Sequence, residues 1–182
     1  FRRSKWFEHV GNECLNVQDN AGLLDMTAFA KCRISGPGAE EFLDYLVANK
    51  IPKKIGRVNL CHALNTAGGV HSEFTIAKEK ENSFYLVSAG AFQRLDHDWI
   101  HKWMPKDGSV IYENLTNSMG VLVLAGPKSR DILSKITKTD LSNENFPWLS
   151  SKKINVGLAP SIAMRMNFVG ELGWELHHPI EY

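Results

Sequence analysis

Two Gly-Pro pairs, Gly36-Pro37 and Gly126-Pro127, stand 90 positions apart in this 182-residue chain, and their surroundings repeat. Asp25-Met26-Thr27 precedes the first pair and Asn114-Leu115-Thr116 the second, with the triplets 89 positions apart. Between triplet and pair lies a strand pattern, over 29–35 in the first half and 120–125 in the second. After each pair comes a helix pattern. Residues 39–48 place Ala39, Phe42, Leu43, Leu46 and Val47 at helical spacing, and the second-half segment carries Ile132, Leu133 and Ile136. Self-similarity of this order predicts an α+β fold of two βαβ-type halves related by a pseudo-two-fold axis.

The rest of the chain fills in that frame. Residues 58–64 read as a strand, NTAGG at 65–69 as hairpin chemistry, and 70–78 and 84–88 as two further strands around a polar turn. Phe92, Leu95, Trp99 and Trp103 mark the apolar face of a helix that Pro105 and Gly108 end. Residues 1–20 show no sustained period and read as an irregular lead-in that packs Trp6 and Phe7 against a neighbour, leaving 21–182 as the folded domain. The stretch FVGELGWELHHP, 168–179, turns at Gly170 and Gly173 and then alternates as a half-buried strand. Trp174 and Leu176 lie on one side, Glu175 and His177 on the other. Matching its glycine turn to that of GGVHSEF brings Glu73 and either Glu171 or Glu175 to comparable places facing a shared cleft.

Composition narrows the function classes. Twenty-one basic and 20 acidic residues are interspersed, which gives no footprint for nucleic acid or an anionic membrane. No apolar run approaches a membrane span and no leader pattern opens the chain, so a soluble intracellular protein is expected, cytoplasmic or alternatively of the mitochondrial matrix. Opening at Phe1 and stopping at Tyr182 just after a strand pattern, the chain reads as a piece of something longer. Cys14, Cys32 and Cys61 are three widely spaced cysteines without a CxxC, the pattern of free thiols in a reducing compartment.

Metal and nucleotide signatures are weak. His97 and His101 share i, i+4 spacing, but Asp98 follows the first where a zinc-protease helix has Glu, so a solvated helical face is the expectation. His177 and His178 are adjacent and point to opposite sides of a strand, which prevents joint ligation of one ion. The Gly-Pro runs match neither GxGxxG nor a P-loop, and their prolines remove donors a phosphate needs. No resident metal and no Rossmann-type FAD or NAD site is expected. Two carboxylates remain. Glu175 sits beside a turn among apolar residues, as a grip for two N–H donors of a flat heterocycle or as a structural ion-pair member. Alternation sends Glu73 to one side with His71 and Thr75, to face solvent or line a pocket.

The segments GLLDMTAFAKCRISGPGAEEFLDYLVAN, LNTAGGVHSEFTIAK, FYLVSA, GVLVLAGPKSRDIL and MRMNFVGELGWELH resemble the folate-binding aminomethyltransferase family, the glycine-cleavage T-protein fold, over almost the whole chain. The SEF and GELGWEL wording is similar to the C-terminal folate half of dimethylglycine and sarcosine dehydrogenases. That resemblance implies tetrahydrofolate in a central cleft and one-carbon transfer to 5,10-methylenetetrahydrofolate. It implies Glu73 as the catalytic carboxylate near the reacting nitrogens, and Glu175 as the pterin grip. Ser72, Phe74, Phe168, Glu171, Leu176 and His177 make up the rest of the implied folate-binding set. Phe168 falls where the family's YxGE pattern has Tyr, so one hydroxyl is missing. Ala89 replaces a common Asn, and Ser72-Glu73 replaces an Asp pair, both of which argue against a stand-alone transferase.

In the dehydrogenase-like reading an upstream FAD domain oxidises an N-methyl amine, the one-carbon unit passes to this domain, and a downstream β domain closes the cleft. The alternatives on the same scaffold are a stand-alone folate-dependent aminomethyl- or methyltransferase or demethylase, and a regulatory module that binds folate without turnover.

Overall fold

The computed structural model describes residues 2–166 and 168–182. Helix α1 (Phe7–Asp19) leads into strands β1 (Gly22–Asp25) and β2 (Ala30–Ser35), helix α2 (Ala39–Leu46), and strands β3 (Val58–Leu64), β4 (Val70–Lys80) and β5 (Ser83–Ser88). A short 3-10 turn and helix α3 (Gln93–Trp103) follow, then β6 (Ile111–Asn114), β7 (Met119–Ala125), α4 (Ser129–Leu133), β8 (Ser151–Val156), β9 (Ala159–Met164) and β10 (Gly173–Pro179). The α+β expectation holds. Two five-stranded sheets form, in the orders β3-β4-β5-β2-β6 and β8-β9-β10-β7-β1, and their ladders are antiparallel.

Read strand by strand, the two orders are the same, except that each half gives its first strand to the other half's sheet. β1 pairs with β7, and β6 pairs with β2. The repeated triplets are the joints of this exchange. Asp25 Oδ1 accepts the Thr27 N–H at 2.9 Å, and Asn114 Oδ1 accepts the Thr116 N–H at 3.0 Å. Thr27 Oγ1 then accepts the N–H of Val121 at 3.1 Å, and Thr116 Oγ1 accepts that of Lys31 at 3.1 Å. The glycines of the Gly-Pro pairs have a matching cause. Gly36 and Gly126 have φ of +110° and +121°, and a Cβ there would lie 2.4 Å from the Ser109 carbonyl and 2.6 Å from that of Asn20, on the chain entering the exchanged strand. Only glycine fits both the dihedral and the approach.

Three apolar clusters set the layers. Ile34, Phe74 and Leu86 of the first sheet pack under Phe42 and Leu43 of α2 and Ile100 of α3. Leu124, Trp174 and Leu176 of the second pack with Leu133 of α4 and with Leu141 and Phe146. Val58, Ala77, Tyr85 and Val87 of one sheet meet Met164 of the other and Met166 just beyond it. The sheets therefore face each other, with helices and loops on their outer sides.

Three expectations are corrected. Residues 7–19 form a helix rather than an irregular lead-in, and Phe1 lies outside the described residues. None of the helix's residues is buried, and Trp6 and Phe7 are exposed, so no apolar stripe was needed and none marked it in the sequence. β10 is not half-buried: Gly173 to His177 is buried throughout, because the strand lies between β7 and β9 with a layer on each face. Third, the expected match of the two glycine turns does not hold. The counterpart of the β3–β4 hairpin is β8–β9, so β10 answers to β5. Tyr85 faces Arg33 and Glu175 faces Val123, 90 positions further on, which makes Tyr85 and not Glu73 the counterpart of Glu175. Following the β4–β5 and β9–β10 registers, Glu73 answers to Pro160.

The joints carry a test. Hydrogen bonds from Thr27 hold the Asp25 carboxyl below its ordinary value of 3.8. A depressed carboxylate stabilises the fold above its unfolded pKa and loses that contribution as pH falls through the folded value. Asp25→Asn should therefore copy the Asn114 joint and remove part of the acid sensitivity in urea unfolding below about pH 4. Thr27→Val and Thr116→Val should each cost about 1–3 kcal/mol by leaving a strand N–H unpaired.

Candidate functional site

A cleft of about 510 Å³ opens at one edge of the layer between the sheets. Alternation along β4 turns Glu73 and Thr75 toward it, the bulge end of the strand adds His71 and Ser72, β5 adds Val87, and β10 adds Glu175. Phe29 and Phe168 form a tilted pair of aromatic walls, ring centroids 6.3 Å apart, and Phe92 lies at the same opening. Three carboxylates line the cleft, Glu73, Asp96 and Glu175, and among the described lining residues there is no Lys or Arg. Such a lining favours a flat molecule rich in N–H donors and disfavours phosphate.

The carboxylates differ in setting. Glu73 is half exposed and hydrogen-bonded to His62 of the neighbouring strand, Oε2 to Nε2 2.9 Å. Asn49 steadies that histidine by accepting its backbone N–H at 2.8 Å. Asp96 is buried on α3. Its Oδ2 accepts the Ser88 hydroxyl at 2.6 Å, while Oδ1 has no partner among the described residues. The nearby Cys32 thiol is pushed up to about 12 by burial and by the Asp96 charge, so it is not a nucleophile at neutral pH. Glu175 is 2% exposed and closes the inner end of the cleft, with Oε2 3.2 Å from Nε2 of His177.

The residues singled out by sequence are only partly gathered. Glu73, Ser72, Phe168 and Glu175 line the cleft. Phe74 points the other way, into the core beneath α2 and α3, and Leu176 lies in the core beside α4, as strand alternation demands of neighbours of Glu73 and Glu175. His177 is fully buried behind Glu175. Glu171 lies apart, beside α1 with Cys14, Val17 and Leu23. Sequence reasoning missed His62 and Asp96. Counting back from the NTAGG hairpin pairs His62 with Ser72, but a bulge between Ala63 and Leu64 shifts the register and pairs it with Glu73. Asp96 gave no signal beyond its place on a helix. His97 and His101 stack on each other with ring centroids 4.0 Å apart, next to Tyr112, and no cluster of three metal-ligating side chains occurs among the described residues.

A second cavity, about 480 Å³, is the symmetry counterpart of the cleft. Met119, Lys153, Pro160, Ile162 and His177 line it in the places that Phe29, Leu60, Glu73, Thr75 and Val87 take in the first.

A family model described as the GCVT N-terminal domain matches residues 1–182. The mitochondrial dimethylglycine dehydrogenase of Mus musculus is 38% identical over 179 residues, covering 98% of this chain and 20% of that protein. The mitochondrial pyruvate dehydrogenase phosphatase regulatory subunit of Mus musculus is 32% identical over 185 residues, covering all of this chain and 21% of that protein. The chain thus spans about a fifth of the length of these relatives. In fold it is similar to the crystal structure of glycine cleavage system aminomethyltransferase T from Bartonella henselae, with a TM-score of 0.81, 23% identity, and coverage of 93% of this chain and 45% of that one.

The Ser88–Asp96 contact is testable without touching the cleft's other groups. Ser88→Ala removes the hydroxyl donor from a buried carboxylate and should cost about 1–3 kcal/mol in urea unfolding. An unchanged midpoint would show that Asp96 finds its partners elsewhere.

Proposed function

The chain belongs to the GCVT N-terminal domain family, and from that membership we propose that it is a tetrahydrofolate-binding module that accepts a one-carbon unit from an oxidised N-methyl amine. The observation that carries this reading is the buried Glu175 carboxylate at the inner end of a cation-free, aromatic-walled cleft. A volume of about 510 Å³ is in the range of small-molecule sites, and a buried carboxylate there matches the amino and ring N–H edge of a pterin. Bound tetrahydrofolate would supply one nitrogen of its pterin ring, N5, and the side-chain nitrogen N10 to take up the unit, giving 5,10-methylenetetrahydrofolate.

The chain's own residues have separate tasks in this reading. Glu175 fixes the orientation of the heterocycle, and Phe29 and Phe168 wall its faces and exclude water. Glu73, nearer the mouth and held by His62, holds or moves a proton at its carboxylate and stabilises positive charge developing at the reacting nitrogen. The dimethylglycine dehydrogenase relative supports an amine of dimethylglycine or sarcosine type. An FAD domain upstream in the longer protein that generates the unit, and a downstream β domain that completes the cleft, belong to the same proposal. The mitochondrial relatives favour the matrix over the cytoplasm as the place of action. Among the described residues no helix is long and apolar enough to cross a membrane.

The regulatory-subunit relative supports a second reading, a module that binds folate without turnover. Anaerobic titration with tetrahydrofolate, together with assay of methylenetetrahydrofolate formation in the full-length protein, separates them. Glu175→Gln should weaken binding by about tenfold or more, and Glu73→Gln should leave binding nearly intact while slowing transfer by about 100-fold or more. Saturable binding with no transfer would favour the regulatory reading. Absence of binding by the full-length protein would sink the folate assignment.

A further inference from the structure

Glu175 does not stand alone behind the cleft. Strand alternation puts His177 on the same face of β10, and the facing sheet presents Tyr85 of β5. His177 Nε2 lies 3.2 Å from Glu175 Oε2, and His177 Nδ1 lies 3.1 Å from the Tyr85 hydroxyl. Tyr85 and His177 are 0% exposed and Glu175 2%. A three-residue chain of hydrogen bonds thus crosses the layer between the sheets and ends on the carboxylate that faces the cleft.

We propose that Tyr85 and His177 are positioning residues that lock the Glu175 carboxylate in its ligand-accepting orientation. This rests on the reading of Glu175 as the ligand grip. For a neutral imidazole one arrangement satisfies every member. The Tyr85 hydroxyl donates to Nδ1, and Nε2–H donates to Oε2. The opposite tautomer would set the bare Nε2 lone pair against a carboxylate oxygen. Burial, with the Glu79 charge next in effect, pushes the Tyr85 hydroxyl pKa upward and keeps it a donor. Each carboxylate oxygen has two lone pairs, so Oε2 can hold His177 and still receive a ligand N–H. A carboxylate tied from behind loses little side-chain freedom when a ligand arrives, which is how preorganisation raises affinity. His177 itself does not line the cleft; it acts through Glu175.

The test measures tetrahydrofolate affinity by anaerobic calorimetry on the full-length protein, with urea unfolding of every variant. His177→Leu, which removes both ring nitrogens, should weaken binding by about tenfold. His177→Gln, whose amide N–H reaches the Nε2 position, should return affinity to within about threefold of the parent, which a merely space-filling role would not require. Tyr85→Phe, which frees the tautomer but keeps the ring, should weaken binding by about threefold or more. Nitrogen-15 spectra should show His177 protonated at Nε2 and bare at Nδ1.

Parent-like affinity in both His177→Leu and Tyr85→Phe, with Glu175→Gln impaired, would overturn the proposal and leave the folate reading standing. An Nδ1–H tautomer at His177 would overturn it as well. If the parent does not bind, or Glu175→Gln binds as the parent does, the reading of Glu175 has failed and takes this proposal with it. Should His177→Leu not fold, Tyr85→Phe and the tautomer decide the matter.

Discussion

Everything in this fold depends on the exchange of two short strands. β1 and β6 are only four residues long, yet each completes the sheet of the opposite half, so neither sheet has all its strands until both halves are present. Short edge strands bury little surface by themselves, so fixed hydrogen bonds must set their register. Thr27 and Thr116 supply those bonds, each bridging to a residue near the start of the strand that its exchanged strand pairs with, β7 or β2. The backbone repeats the pattern: Met26 N–H donates to the Val121 carbonyl at 2.9 Å, and Leu115 N–H to that of Lys31 at 2.8 Å. The two sheets are thereby held face to face without a disulfide among the described residues.

Holding them face to face creates a layer that is more polar than a core should be. Lys31 is 1% exposed in it and survives because its Nζ donates to the carbonyls of Thr27 and Met119, both at 2.7 Å, one in the first half's joint and one at the start of β7. Burial still pulls its pKa down, with Asp25 opposing. Arg33 is held by Glu79 and Glu113, and the Tyr85–His177–Glu175 chain occupies the centre. Buried charge costs several kcal/mol per ion if unpaired, on the order of the whole stability of a domain, so each of these groups must be matched. The layer is apolar at its tight points, Val58, Ala77, Met164 and Met166, and opens at its edge into a cleft whose carboxylates look outward.

What could be read from the sequence follows from this division of labour. The repeat was legible because its residues answer local demands: a positive φ for Gly36 and Gly126, and an acceptor two residues before each joint threonine for Asp25 and Asn114. Helix α2 was legible because it buries one face. α3 was legible as a helix, but it buries Asp96 and Ile100, with Trp99 and Trp103 half-buried, and leaves Phe92 and Leu95 of the expected face exposed. α1 was not legible, since it buries no residue, and β10 was misread as half-buried because both of its faces are covered. Of the candidate site, the facing of Glu73 followed from alternation, but its pairing with His62 depended on a bulge, and Asp96 on how α3 lies against the sheet. Pairing GGVHSEF with VGELGWEL failed for a related reason. Gly170 serves a bend before β10, whereas the turn equivalent to NTAGG is made by Gly157.

The two cavities show how the halves of a symmetric frame come to differ in chemistry. Backbone symmetry offers the same hollow twice, and side chains decide its use. Where the first places Glu73, the second has Pro160, which keeps no side-chain acceptor; where the first has Leu60, the second has Lys153. The counterpart of Glu175 is Tyr85, a donor where a grip for N–H groups needs an acceptor. The same two residues, related by the axis, are then joined through His177, whose own counterpart is the apolar Val87. A His at one of two equivalent positions and a Val at the other thus joins Tyr85 of one half to Glu175 of the other across the layer.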